Sequence, residues 1–155
     1  MDYGTYTANL DQENHCPFCR MSDDEILDET ENFYAVLARA PYVKDHILII
    51  SKRHVTFLNE LTKEEQQEMW DLVNTRNTFM QEEHEGTSIL LRDTHAKGIS
   101  WKSIEHLHAH VIPDCRIGTI DGNGQDDRHF FDIEEYHSFT HDLKSRFEQY
   151  KQTKE

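Results

Sequence analysis

Two groups of residues in this chain carry side chains suited to chemistry. One is His106, His108 and His110 in the run Glu105-His106-Leu107-His108-Ala109-His110-Val111-Ile112-Pro113; the other is Cys16-Pro17-Phe18-Cys19. A spacing of two is that of a β-strand, so the three imidazoles share one face and Leu107, Ala109 and Val111 take the other. One face is then chemistry and the other is core. Imidazole can be nucleophile, acid or base near neutral pH, and a central ring flanked by two others can attack while its neighbours hold protons and phosphate oxygens. Alternatively, His106 and His108 could bend together around a catalytic ion that activates water. Pro113 lacks an N–H and ends the pairing at a rim.

The Cys16/Cys19 pair offers two thiolates to a zinc ion or to a redox couple. The redox use requires a strand before the pair and a helix opening at the first cysteine, and neither pattern is present. The zinc use requires two further ligands, for which His54 and His106 are available.

The elements that must position these residues follow from patterning. Glu25–Glu29 and Asn32–Leu37 are short β-prone runs around a polar turn and predict a hairpin. Asp45–Ser51 contains Ile47-Leu48-Ile49-Ile50, apolar on both faces as in a central strand. Thr62-Lys63-Glu64-Glu65 is a capping box opening a helix to about Glu85, with Met69, Leu72, Val73, Phe79 and Met80 as its core stripe and Gly86 as its stop. Ser88–Arg92 is a further strand. The segment from Asp93 to Lys102 leads into the triad strand, and its backbone N–H groups are placed to meet phosphate. Asp121–Asp127 looks like the start of a calcium loop, but Asp126 and Asp132 stand at its sixth and twelfth positions, so it reads as a solvated turn. Asp132 with Glu135 caps a last helix whose Ile133, Tyr136, Leu143, Phe147 and Tyr150 share a face. The sum is an α+β domain: an antiparallel sheet, one long central helix and a C-terminal helix. Residues 1–15 read as a flexible tail and 16–155 as a single domain.

A formal net charge of −14 over 155 residues speaks against polymeric nucleic acid, whose binding depends on neutralising phosphates. A small phosphorylated ligand is compatible, since Lys44, Lys52, Arg53, Lys97 and Lys102 flank the triad. No apolar run long enough for a membrane and no leader pattern is present, and an odd number of cysteines suits a reducing cytosol; the expected location is cytoplasmic.

His106-Leu107-His108-Ala109-His110-Val111-Ile112 resembles the motif of the histidine triad (HIT) family, and Asp45–Val55 is similar to that family's strand before its long helix. The resemblance covers roughly residues 16–113. It implies a sheet of about five strands, a homodimer, and a nucleotide hydrolase or nucleotidyl transferase. The expected substrates are dinucleoside polyphosphates or nucleoside phosphoramidates, cleaved through a nucleotidyl-histidine intermediate. By the same resemblance His108 is the nucleophile, and His110, His106 and Ser103 complete the catalytic set. His46, Lys102, Ser103 and His110 contact substrate. Cys16, Cys19, His54 and His106 hold a structural zinc. With His110 rather than Gln at the third position, hydrolysis is favoured over sugar-1-phosphate transfer. The chain departs from the family pattern in two places. Members usually have an Asn at the start of the loop before the triad, where this chain reads His95, and Lys102 could supply charge where the family often has an amide. The acidic residue used on ribose would fall near Ala38 or Arg39, and no carboxylate stands there. That altered loop keeps open a regulatory nucleotide-binding module with little turnover.

Overall fold

The computed structural model describes residues 5–6, 8–9, 15–97, 102–115 and 131–154, with only part of the side chains in the last segment. Of the expected tail, Thr5, Tyr6, Ala8 and Asn9 have helical backbone. The Asp121–Asp127 turn lies outside the described residues. The chain divides into two compact units, Met1–Ile117 and Gly118–Glu155.

The first unit is a five-stranded antiparallel sheet. Its strands are β1 (Ile26–Glu29), β2 (Phe33–Leu37), β3 (Ile47–Ser51), β4 (Thr87–Leu91) and β5 (His108–Pro113), in the order β1-β2-β3-β5-β4. The expected hairpin is β1–β2, and β3 is the central strand with all five residues buried. Between β3 and β4 lies the long helix α1 (Lys63–Glu83). Thr62 Oγ1 accepts from the N–H of Glu65, and Glu65 Oε2 accepts from the N–H of Thr62 at 2.7 Å, which closes the capping box. Such a cap contributes about 1 kcal/mol.

Helix α1 covers one face of the sheet. Met69, Leu72, Val73 and Met80 pack on Phe33, Ala35, Ile47, Ile49, Leu107, Ala109 and Val111. Each fully buried large apolar side chain in that layer stabilises by roughly 1.5–3 kcal/mol. Phe79 does not join them and is 48% exposed. Ten residues beyond Met69, it stands about 80° around the helix from the stripe's centre. The opposite face carries a smaller apolar cluster, Val36, Ala38, Leu48 and Ile50, with Phe18, Met21 and Tyr34 against it.

The stop of α1 also differs from expectation. His84, in extended conformation, is the cap, and its N–H donates to Met80 O at 2.9 Å. A β-carbon at Gly86 would meet nothing within 4 Å, so space does not require glycine there. What ends the helix is a clasp: His84 Nδ1 lies 2.8 Å from Asp114 Oδ2 and His84 Nε2 lies 3.0 Å from Asp45 Oδ2. Both aspartates have positive φ, at the entry to β3 and the exit of β5. One imidazole therefore ties three elements together.

The second unit contains α2 (Ile133–Lys154), capped as expected by Asp132, whose Oδ1 accepts from the N–H groups of Glu134 and Glu135. Ile133, expected in its apolar stripe, is 65% exposed. No helix among the described residues is long and apolar enough to cross a membrane.

The clasp gives a pH prediction. Hydrogen bonds that the His84 imidazolium donates to Asp114 and Asp45 hold its pKa above the ordinary 6.5. Its contribution is therefore full below 6.5 and is lost as pH rises through the folded-state value. Asp114, held low by His84, works in the opposite sense: its contribution is full above 3.8 and fades in acid. Denaturant midpoints of the parent should exceed those of His84→Gln most between pH 4.5 and 6.5, and the gap should close on the alkaline side. A gap that widens above pH 7 would exclude a charged clasp.

Candidate active site

β5 lies between β3 and β4, with His108 opposite Ile50 and His110 opposite both Leu48 and Leu90. Alternation then aims both imidazoles at the face away from α1. His106 precedes the strand proper: its N–H bonds Ile104 O at 2.8 Å, while Leu107 N–H bonds Val55 O at 2.7 Å. The expectation of one strand carrying all three rings is thus met for two. His106 still sits on the Phe18 side, and the Phe18 ring lies edge-on to His106 and His108 at 6.0 and 5.1 Å.

Backbone carbonyls set the protonation of these rings. His106 Nε2 lies 2.6 Å from Ser51 O, and a carbonyl can only accept, so Nε2 carries the proton and Nδ1 a lone pair. That Nδ1 faces Cys16 Sγ at 3.3 Å, Cys19 Sγ at 3.7 Å and His54 Nδ1 at 3.2 Å, and Cys19 Sγ lies 3.1 Å from His54 Nδ1. The four donor atoms all fall within 4.8 Å of one another. Tetrahedral Zn–S and Zn–N bonds imply edges of roughly 3.3–3.8 Å, so the distances suit such an ion. Cys16, Cys19, His54 and His106 are positioned to hold a metal ion. Burial pushes the Cys16 thiol up to about 11, so a cation is what would make it a thiolate. His108 is not part of this set.

His108 Nδ1 lies 2.7 Å from His106 O and carries the proton, which leaves Nε2 with its lone pair. Burial pushes this imidazole down to about 4, so the ring is neutral at physiological pH. It lines a cleft of about 1010 Å³ together with His46, Arg92, Ser103 and His110. His46 Nε2 lies 2.9 Å from His110 Nδ1, and the Tyr42 N–H donates to His46 Nδ1 at 3.2 Å. Tyr42 stacks on the His46 ring at 5.2 Å. Burial also holds His46 near 4 and His110 lower still, with the Arg92 charge adding to both. A neutral nitrogen nucleophile beside neutral proton carriers in a cleft can attack an electron-poor centre such as phosphorus. A second depression, lined by Glu64, Glu68 and Asp71 among others, is open and acidic and contains none of these rings.

The cations are distributed differently from expectation. Lys102, expected to supply charge to the substrate, is buried, and its Nζ donates to Thr56 O at 3.0 Å and Thr94 O at 2.9 Å. Lys52 pairs with Glu29 and Arg53 with Glu65. His95 is held outside the cleft by Glu105 at 2.7 Å. Arg20, Arg39 and Arg92 all line the cleft, and Arg92, just beyond β4, reaches the triad, with Nη1 3.4 Å from His110 Nε2 and Nη2 3.4 Å from Tyr42 Oη. Sequence reasoning missed Arg92, Tyr42 and Phe18 as site residues. Alternation from Leu90, opposite His110, would have found Arg92 had the β4–β5 register been known.

A model of the HIT domain matches residues 20–116, and the chain belongs to the HIT domain family. Among curated relatives, a bis(5'-adenosyl)-triphosphatase of Dictyostelium discoideum is 34% identical over 92 residues, covering 57% of this chain and 59% of that protein. A Saccharomyces cerevisiae protein of the same name is 26% identical over 115 residues, covering 65% of this chain and 54% of that one. The chain thus spans little more than half the length of the curated relatives it matches. Of solved structures, a HIT family protein from Bacillus subtilis is 25% identical with a TM-score of 0.63, covering 85% of this chain and 96% of that one. A histidine triad nucleotide-binding protein from Candida albicans shares the fold with a TM-score of 0.67 at 20% identity, over 87% and 99% of the two chains.

The hydrogen-bond directions can be read in solution. Imidazole ¹⁵N spectra at neutral pH should show His108 as the Nδ1–H tautomer and His46 as the Nε2–H tautomer. An Nε2–H proton on His108 would remove the free lone pair from the cleft.

Proposed function

We propose that this protein is a nucleotide hydrolase that transfers a nucleotidyl group from a dinucleoside polyphosphate to His108 and then to water. The observation that carries this reading is the His108 ring, whose Nδ1–H is held by the His106 carbonyl at 2.7 Å and whose Nε2, beside the cleft, has no hydrogen-bond partner among the described residues. Nε2 attacks the α-phosphorus, the bond to the departing phosphate oxygen breaks with its electron pair, and a nucleotidyl-imidazolium forms. Water then attacks the same phosphorus, releases the nucleotide and a proton, and returns the neutral ring. His110, adjacent to His108 at 5.0 Å, contacts the non-bridging oxygens, with His46 behind it, and Ser103 at the cleft wall donates to the departing group. His106 orients the nucleophile through its carbonyl. The relatives named bis(5'-adenosyl)-triphosphatase support the anhydride over the phosphoramidate as the bond cleaved. Ala38 is buried and Arg39 exposed, so the ribose is met here by something other than a carboxylate at these positions.

The ion we assign to Cys16, Cys19, His54 and His106 is a structural zinc, because two thiolates and two imidazoles form a closed tetrahedral set with no position left for water. When bound, it would tie the amino-terminal segment to His106. A homodimer fits β4, an edge strand whose Ile89 is 44% exposed. A cytoplasmic location suits thiols that must remain reduced.

Two experiments test the reading. Mass spectrometry of acid-quenched protein after mixing with bis(5'-adenosyl) triphosphate should show an adenylylated His108 peptide, and His108→Ala should lose that adduct and at least about 10⁴-fold in turnover. Turnover unchanged in His108→Ala would end the nucleophile assignment. For the metal, elemental analysis should find about one zinc per chain. Cys16→Ser/Cys19→Ser should lose the metal and melt lower, while His108→Ala keeps it; full zinc retention by the double cysteine variant would reject the site.

A further inference from the structure

Four N–H groups compete for three contacts in the row that runs from Tyr42 through His46 and His110 to Arg92. The backbone N–H of Tyr42 points at His46 Nδ1 at 3.2 Å, His46 Nε2 meets His110 Nδ1 at 2.9 Å, and His110 Nε2 meets Arg92 Nη1 at 3.4 Å. The amide and the guanidinium cannot give up their protons, and each neutral imidazole carries one. Three contacts can use three protons, so one contact must set donor against donor. The two shorter contacts satisfy each other: Tyr42 donates to His46 Nδ1, and His46 Nε2–H donates to His110 Nδ1. The surplus falls on the longest contact, at the cleft, where His110 Nε2–H and Arg92 Nη1–H point at the same space. Among the described residues that pair lacks an acceptor.

Arg92 has no carboxylate within ion-pair distance among the described residues. Its other amino group donates to Tyr42 Oη, which fixes the guanidinium against the ring stack without neutralising it. Among the described residues nothing of opposite sign meets this guanidinium, and a bound anion would supply it. A phosphate oxygen is the acceptor that fits: it takes several donors at once and pairs with guanidinium more strongly than a neutral oxygen does.

We propose that Arg92 is a further substrate-binding residue, whose guanidinium and the His110 Nε2–H together seat a non-bridging oxygen of the phosphoryl group that His108 attacks. This rests on the nucleotide reading above. Tyr42 acts through Arg92 and is a positioning residue: its ring backs His46 and its hydroxyl aims the guanidinium. Arg92 thereby takes the part that the sequence had suggested for Lys102.

The test separates this inference from the reading beneath it. In a His108→Ala background, which removes turnover, calorimetry compares AMP with adenosine for Arg92, Arg92→Gln and Arg92→Lys proteins. Loss of a charge-assisted hydrogen bond should weaken AMP binding about 10- to 100-fold in Arg92→Gln and leave adenosine unchanged, so adenosine serves as the folding control. Arg92→Lys should recover part of the loss, because it restores the charge but not the fork. Tyr42→Phe, which keeps the stacked ring, should weaken AMP by a smaller factor and add no loss on top of Arg92→Gln. AMP bound equally by Arg92→Gln and its parent overturns the Arg92 assignment while the nucleotide reading stands. Binding of neither AMP nor adenosine by the parent overturns both.

Discussion

The site depends on two backbone carbonyls. Ser51 O takes the Nε2–H of His106, and His106 O takes the Nδ1–H of His108. Each bond places the single proton of a neutral imidazole on one nitrogen and leaves the other as a lone pair. One lone pair points to the cysteines and the other is left at the cleft. Because both acceptors belong to backbone held by sheet pairing and by the Leu107–Val55 bond, the tautomers are set by the fold and need no charged partner. Burial then keeps the rings neutral, since imidazolium would lose its hydration there and no carboxylate among the described residues offsets the loss.

The same geometry explains why the cysteine pair and the triad belong together although about ninety residues separate them. His106 offers its ring to the Cys16/Cys19 group and its carbonyl to His108, so holding its ring also holds the acceptor that orients His108. Phe18, between the two cysteines, lies edge-on against His108 and dries one side of it. An ion bound at the four donors would therefore stiffen the surroundings of His108, the proposed nucleophile, without approaching its Nε2.

Local pattern made much of this legible. Strict alternation across 107–111 is enough to separate the core face from the chemical face, and the Thr62–Glu65 box marks the start of α1 to the residue. Ile47–Ile50 read as central because apolar side chains on both faces need cover on both. What failed was information that does not reside in local order. Phe79 lies at the margin of a stripe whose width depends on how far the sheet extends beneath it. His84 ends α1 through Asp45 and Asp114, partners from other elements. Arg92 reaches the site only because β4 pairs with β5 in one register across the segment 92–107, and no periodicity sets the register of strands joined by so long a connection. Lys102 was misjudged for a related reason. A lysine beside a catalytic strand looks like a phosphate contact until two carbonyls are found around its ammonium.

The arrangement of cations resolves an apparent conflict between a chain of net charge −14 and the anionic substrate proposed for it. Charges more than about 8 Å away are largely screened at physiological ionic strength, so the overall sign matters less than the groups at the cleft. There the carriers of positive charge and the carriers of protons are different residues. The Arg92 guanidinium in front lowers the proton affinity of His108 and His110, and the Lys102 ammonium behind lowers that of His108, while burial pushes Lys102 itself down. Protonated histidines would also attract phosphate, but a protonated His108 has no lone pair with which to attack it. Assigning the charge to a guanidinium and an ammonium lets the imidazoles remain neutral, and the proposed attack of His108 on a phosphate requires that separation.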